Sequence, residues 1–536
     1  MARDLLKTLA PHMIVGLSGP SLSAEERRLL AELPFAGVIL FERNVTGSRG
    51  LMELNRELRA VFGDSHGIVP LIAADHEGGV ISVLGRSIGV PPSQAAAARA
   101  ESAHPGACGR LFTENARRMR AVGANMLLGP VADVNSDRLN PVIGTRSFGE
   151  EASVVSPLVA AAVAAARREG LLTCLKHFPG HGPSSVDSHL ALPTLDADLD
   201  ELRERHVPPF AAGIASGADA VMIGHIAPRG RELPASLDPE IVGGLLRREL
   251  GFGGVVMTDA LEMEGVNVAP PAVVSARSLR AGNDILLFSK PVGEVAAEGV
   301  LADGPSGDAL GETALSGALE PSRERIARLL SAAASRDGEF ELPADAAVYR
   351  EIAAGAVEVA WAGGGTAPAG GGLFGVGALS RGAARAPRIV FYAGDGEFER
   401  FALRSFMGRV MKALASAPGG WGAFRASAGA SRPTAADAAE DLLGPVDTLP
   451  ASARGIEGRL FPREDVSAGS PDIVFLLNRR PVSADAVRDL SSGAKVVVVA
   501  GWPHAAELVP PGRAVITTSG VYDAAADEAS RLILEA

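Results

Sequence analysis

Between Lys176 and Pro193 the sequence reads KHFPGHGPSSVDSHLALP, which places three of the chain's ten histidines, a lysine and an aspartate in one segment rich in proline and glycine. Four readings compete for it: a metal site, a serine nucleophile with its base, acid/base cleavage of a sugar linkage, or a solvated polar loop. His177 and His181 are four apart, the spacing that sets two ligands on one helix face, but Pro179 and Gly180 between them oppose a helix. No metal is therefore expected. Ser184, Ser185 and Ser188 lack the glycine-flanked elbow that exposes a nucleophilic serine. Glycoside cleavage needs one group that protonates the leaving oxygen and one carboxylate that meets the positive charge at the anomeric carbon. Asp259, closing the apolar run VVMTD, suits the second role. Asp187-Ser188-His189 offers the first, because an extended i, i+2 spacing puts carboxylate and imidazole on one side of the chain. The carboxylate raises the histidine from its ordinary pKa of ~6.5 and fixes its tautomer, which keeps an acid available near neutral pH. Lys176 and His177 then serve as donors to sugar hydroxyls, and the chemistry calls for no cofactor.

Such groups need a rigid frame. Eight short apolar runs begin at Met13, Gly37, Val69, Ala124, Leu171, Ala218, Gly253 and Asn283. Near-continuous apolarity over so few residues marks strands buried on both faces, as in parallel sheets. Ala-, Arg- and Leu-rich segments with helical spacing separate them, two of these ended by Gly123 and Gly170. The alternation predicts an α/β chain with an N-terminal (β/α)8 TIM barrel over residues 1–340; a doubly wound open sheet is the alternative. Residues 341–386 read as a linker that opens with a helical stretch, Ala344 to Trp361, and continues into a Gly-rich segment. From Pro387 to the end, runs such as RIVFYAG, DIVFLLN, AKVVVVAGW and RAVITTSG predict a smaller three-layer α/β sandwich domain. In a barrel, the residues that follow the strands build the site. Five successive predicted strands end in polar groups: Asp75, His76 and Glu77; Asp133 and Asn135; the Lys176 segment; His225; and Asp259.

A net charge of −12 with no basic block argues against nucleic acid or an anionic membrane as partner. Two cysteines, Cys108 and Cys174, form no disulfide framework. No run is long enough to span a membrane and the N-terminus has no signal-peptide pattern, so a cytoplasmic location is expected.

The KHFPGHG and DSH elements, with GVILF from Gly37, D.EGG from Asp75, GPVADVN from Gly129, RSFGEE from Arg146, VMIGHI from Val221, VMTDALEM from Val256 and AGNDILL from Ala281, resemble glycoside hydrolase family 3. Within it the pattern is most similar to β-N-acetylhexosaminidases that remove N-acetylglucosamine from cell-wall fragments. The resemblance implies that Asp259 is the nucleophile of a covalent glycosyl-enzyme, that His189 is the acid/base and that Asp187 is its partner. It implies that Asp75, Arg146, Lys176, His177 and His225 hold the sugar of a small saccharide or muropeptide. Val80 and Val83 stand where the family usually carries arginines, Arg86 being the nearest one here. Another family specificity, such as β-glucosidase or glycoside phosphorylase, and a degenerate barrel that binds muropeptides without cleaving them are the competing readings.

Overall fold

The computed structural model describes residues 2–138, 140–184, 192–297, 312–338, 340–356 and 358–361, and beyond them chiefly the strands of a second sheet. Eight parallel strands close into a barrel: β1 (Met13–Gly16), β2 (Gly37–Leu40), β3 (Leu71–Ala74), β4 (Met126–Leu127), β5 (Leu172–Phe178), β6 (Ala220–Ile223), β7 (Val255–Ala260) and β8 (Ile285–Pro291). Their order round the barrel is the order along the chain, and β1 closes on β8 with Met13 opposite Leu286. All eight predicted runs form these strands, and the open-sheet alternative falls with the closure.

The strands lack polar alternation because both of their faces are buried. Ile14, Ile39, Leu71, Cys174, Met222, Met257 and Leu287 fill the barrel interior. Their neighbours Met13, Val15, Val38, Ile72, Val221, Val256 and Leu286 pack outward against the helices. Gly123 and Gly170, at φ +87 and +74, lie just past the helices Ala107–Ala121 and Ala152–Arg168, where a left-handed residue ends a helix most cheaply.

The helix Glu312–Ser335 plugs the end of the barrel where the strands begin, with Ile326, Leu329 and Ala333 against the interior residues. Asp284 pins it there. This carboxylate, fully buried just before β8, is 2.6 Å from Arg247 and 2.7 Å from Arg325 of the plugging helix, and accepts the Val256 N–H at 2.8 Å.

Beyond the barrel, the stretch expected to be helical from Ala344 to Trp361 divides. Residues Ala347–Ala356 are helix, whereas Glu358–Trp361 is strand β9, the antiparallel edge of a seven-stranded sheet. Its other strands are β10 (Ile389–Ala393), β11 (Arg425–Ala426), β12 (Glu457–Leu460), β13 (Ile473–Asn478), β14 (Val496–Gly501) and β15 (Ala514–Thr517), all mutually parallel, in the order β9-β15-β14-β13-β10-β12-β11. The Gly-rich segment and most of the residues between these strands lie outside the described residues.

The helix Ala347–Ala356 falls in the stretch read as linker, yet it packs on the barrel's outer helices and buries Tyr349, Ile352, Ala353 and Ala356. Arg118, itself buried, donates to the carbonyls of Ile88 (3.2 Å) and Asp345 (2.8 Å) and so ties this segment to the barrel. A chain ending at Ala356 is therefore expected to fold stably. One ending at Pro343 loses the burial of Tyr349 and Ile352, about 3–6 kcal/mol at about 1.5–3 per large side chain. Urea unfolding of the two truncations tests this, and equal stability would count against the packing argument.

Three buried histidines add a pH dependence. Burial lowers all of them: His76 to about 3, with Arg118 nearby adding to the effect, His181 to about 4, with His177 adding, and His206 to about 4. The unfolded chain, with histidines near ~6.5, takes up protons that the folded chain refuses, so stability falls as pH drops from about 7 to about 4. Each histidine contributes a loss on the order of 2–3 kcal/mol by the acid end of that window. Glu77 and Asp133, whose pKa values folding depresses, add a further loss that begins as pH falls through the ordinary carboxylate range and continues toward their lower folded values. Denaturant titrations at pH 7 and pH 5 should show the decline; a flat profile would mean that the native state admits these protons.

Candidate active site

The polar residues converge at the end of the barrel where the strands finish. Asp75 follows β3, and the chain then folds into a hairpin, His76–Gly78 against Ile81–Ser82, that carries Glu77. Gly78 has φ +105 and its backbone lies against the Pro92 carbonyl, so a side chain there would collide with it. Asp133 follows β4, Lys176 and His177 lie on β5, His225 follows β6 and Asp259 stands near the end of β7. The register of β5 against β6 shifts between Leu175 and Phe178, a bulge that interrupts the alternation of neighbouring side chains at Lys176 and His177.

Glu77 is the hub. Its carboxylate, wholly buried, accepts two parallel bonds from Arg146, Nε to Oε2 at 2.7 Å and Nη2 to Oε1 at 2.8 Å, and lies 2.5 Å from Lys176 Nζ. Burial alone would raise the Glu77 pKa, but Arg146 and Lys176 outweigh it and hold the carboxyl far below the usual range. Burial would likewise lower both cations; Asp75 and Glu77 reverse this for Lys176, and Glu77 does so for Arg146. Lys176 also pairs with Asp75, whose side chain keeps some exposure. Glu77, Arg146 and Lys176 are thus held ionised by their partners, and removal of one partner from such a buried set costs about 3–5 kcal/mol.

A second layer holds the histidines. Asp133 accepts from the His177 ring at 2.8 Å and from the backbone N–H groups of His177 and His181. Asn140 donates to the carbonyls of His181 and Gly182, both at 2.8 Å, and accepts from the Val142 and Ile143 N–H groups. Gly182 fits here because its backbone lies against the Val134 carbonyl, leaving no room for a Cβ. His177 and His181 meet edge to face, with ring centroids 5.8 Å apart.

Asp259 is partly exposed, and its Oδ1 accepts the Ala260 N–H at 2.8 Å. Burial raises its pKa, but His177, His225 and that N–H together bring it below the ordinary value. Both His225 nitrogens are engaged within the protein, Nδ1 with the Ser236 hydroxyl at 2.8 Å and Nε2 with the Ala260 carbonyl at 3.1 Å. His225 therefore braces the strand end that presents Asp259.

The structure thus brings together Asp75, Arg146, Lys176, His177, His225 and Asp259 from the sequence analysis. Asp187 and His189 lie outside the described residues. Val80 is buried and Val83 half-buried against the core, while Arg86 is exposed. Glu77, Asp133, Asn140 and Ser236 were not among the expected sugar-binding or catalytic residues. Glu77 and Asp133 stand at predicted strand ends, which was the available signal; Asn140 lies in a loop and Ser236 in the short 3-10 helix Ala235–Leu237, whose placement no local pattern gives.

Residues 7–313 match the family model for the glycosyl hydrolase family 3 N-terminal domain. The chain is 36% identical over 287 residues to a β-hexosaminidase of Stenotrophomonas maltophilia (strain R551-3), an alignment covering 52% of this chain and 83% of that one. A β-N-acetylhexosaminidase structure from Beutenbergia cavernae DSM 12333 superposes with a TM-score of 0.54 at 28% identity, covering 61% of this chain and 98% of that one. In fold alone, the likeness extends through the C-terminal sheet. A family 3 β-N-acetylglucosaminidase from Paenibacillus sp. str. FPU-7 covers 99% of this chain and 96% of its own, with a TM-score of 0.73 at 23% identity. A sugar-cleaving signature on the predicted strand ends, a closed barrel that gathers those ends and a family match across the whole barrel agree: the chain belongs to glycosyl hydrolase family 3.

Proposed function

We propose that the protein is a retaining exo-β-N-acetylhexosaminidase that releases terminal β-linked N-acetylglucosamine from small cell-wall saccharides or muropeptides, with Asp259 as nucleophile, His189 as acid/base and Asp187 as the partner of His189. The observation that carries this reading is the Asp259 carboxylate, partly exposed on a rigid strand end and favoured as the anion by His177, His225 and the Ala260 N–H. A nucleophile in glycoside cleavage must be ionised when the sugar arrives.

The surrounding charge supports the same chemistry. Asp75, Glu77, Asp133 and Asp259 set four carboxylates against the two permanent cations Arg146 and Lys176. That excess of fixed negative charge favours the oxocarbenium-like transition state over the neutral substrate, because preformed charges do not have to reorganise as the bond breaks. In the proposed cycle His189 protonates the departing oxygen while Asp259 closes on the anomeric carbon. Water, deprotonated by His189, then attacks that carbon and frees Asp259. The likeness to β-hexosaminidases supports the N-acetylated sugar. No helix among the described residues is long and apolar enough to cross a membrane, which is compatible with the proposed cytoplasmic location. We place the barrel body at residues up to Ala356 and expect the C-terminal domain to be dispensable for chemistry.

Replacement Asp259→Asn keeps the shape and removes the anion, so kcat on an aryl N-acetylglucosaminide should fall on the order of 10³-fold or more with little change in Tm. Retention of more than a tenth of the activity would place the nucleophile elsewhere. The role of His189 is tested by the leaving group. His189→Ala should slow cleavage of a disaccharide by about 10²–10⁴-fold, and of a dinitrophenyl glycoside far less, since an activated phenolate departs without a proton. Equal slowing of both substrates would assign the acid to another residue.

A further inference from the structure

Asp133 is not exposed at all, and donors surround it. The His177 N–H lies 3.2 and 3.3 Å from its two oxygens, the His181 N–H is 2.7 Å away and the His177 ring Nδ1 is 2.8 Å away. Burial would raise the Asp133 pKa, but the neighbouring histidines and these bonds bring it below the ordinary value. An ionised carboxylate only accepts hydrogen bonds. The Nδ1 that faces it therefore carries a hydrogen.

The other edge of the same ring meets the opposite kind of group. His177 Nε2 is 3.3 Å from Arg146 Nη2, and a guanidinium only donates. Nε2 must offer its lone pair to make that contact. One histidine thus stands between a pure acceptor and a pure donor, and only the tautomer with hydrogen on Nδ1 and none on Nε2 satisfies both.

We infer that Asp133 is a positioning residue that locks His177 in the Nδ1–H tautomer, so that Nε2 serves as an acceptor and, together with Glu77 and the Val142 carbonyl, aims the Arg146 guanidinium. The relay runs from Asp133 through His177 to Arg146, which also donates to the Val142 carbonyl at 3.2 Å. It reverses the role that the sequence suggests for His177: in this arrangement Nε2 does not donate to a sugar hydroxyl, and any hydroxyl that approaches it must be the donor. The inference deepens the function proposed above, and its consequence for turnover rests on that reading; the tautomer does not.

The test uses the full chain labelled with ¹⁵N-histidine, with the His177 signals assigned by their loss in His177→Gln. Long-range ¹H–¹⁵N correlation spectra near pH 7.5 should show a protonated Nδ1 and an unprotonated Nε2 at His177. In Asp133→Asn the amide oxygen can still accept from the backbone N–H groups, which turns the amide NH2 toward Nδ1. The hydrogen should then move to Nε2, where it opposes Arg146. On an aryl N-acetylglucosaminide kcat/KM should fall by about 10- to 100-fold, the range seen when the outer partner of a metal-bound histidine is lost, with KM rising more than kcat falls. A wild-type His177 protonated on Nε2 overturns the proposal at once, whether or not Asp133→Asn folds. So does an unchanged tautomer in Asp133→Asn, and a switched tautomer with unaltered KM and kcat overturns the positioning role. If the wild-type protein cleaves no hexosaminide, the function proposed above fails while the spectra still decide the tautomer.

Discussion

A carboxylate with no exposure to water is unstable unless cations accompany it, and Glu77 imposes that condition on the mouth of the barrel. Arg146 meets it with two parallel bonds and Lys176 with a third contact. These three residues come from segments far apart in the chain, so their pairing ties the hairpin after β3, the loop after β4 and strand β5 into one unit. Breaking any member would strand the others in a region where unpaired charge costs several kcal/mol. The neighbouring groups take their places from this web: Asp75 leans on Lys176, and His177 meets Arg146.

The opposite end of the barrel repeats the principle for a different purpose. Asp284, as buried as Glu77, pairs with Arg247 and Arg325 and holds the plugging helix across the end where the strands begin. Between the two charged ends lies an apolar interior in which Leu71, Met222, Met257 and Leu287 fill the space that the strands enclose. Close packing there gives the strand ends little freedom. That rigidity lets Asp259 and His225 keep a fixed relation even though they reside on different strands.

At the mouth, two histidines bridge groups that face them from either side, charged at one ring and neutral at the other. His177 lies between Asp133 and Arg146, and His225 joins Ser236 to the strand end beside Asp259. A ring with one donor and one acceptor edge can bridge an acceptor and a donor without adding charge, which suits a region already crowded with ions. The same crowding bears on Asp259, whose anion is favoured by His177 and His225 against the effect of burial.

The eight barrel strands were legible because burial on both faces leaves a mark within each segment, a short apolar run such as VVMTD or NDILLF bounded by glycine or polar residues. The positions of the candidate residues were legible for a related reason: in a barrel the strand ends converge, so the places of Asp75, His225 and Asp259 could be read from where their runs stop. What no local pattern encodes is which partner a side chain meets across the barrel. That Glu77 is buried between Arg146 and Lys176, that Asp133 takes the His177 ring, and that His225 turns both nitrogens inward depend on the closure of eight strands, which sets residues from distant segments within hydrogen-bonding reach. The division of the stretch after Pro343 into a helix on the barrel and an edge strand of the second sheet has the same origin. EVAW can extend either structure locally, and the strand β15 that it pairs with lies more than a hundred residues away. Sequence alone determined the barrel strands and the groups they carry; tertiary structure decided which charges would be buried together, because the cost of burying a charge depends on its neighbours in space.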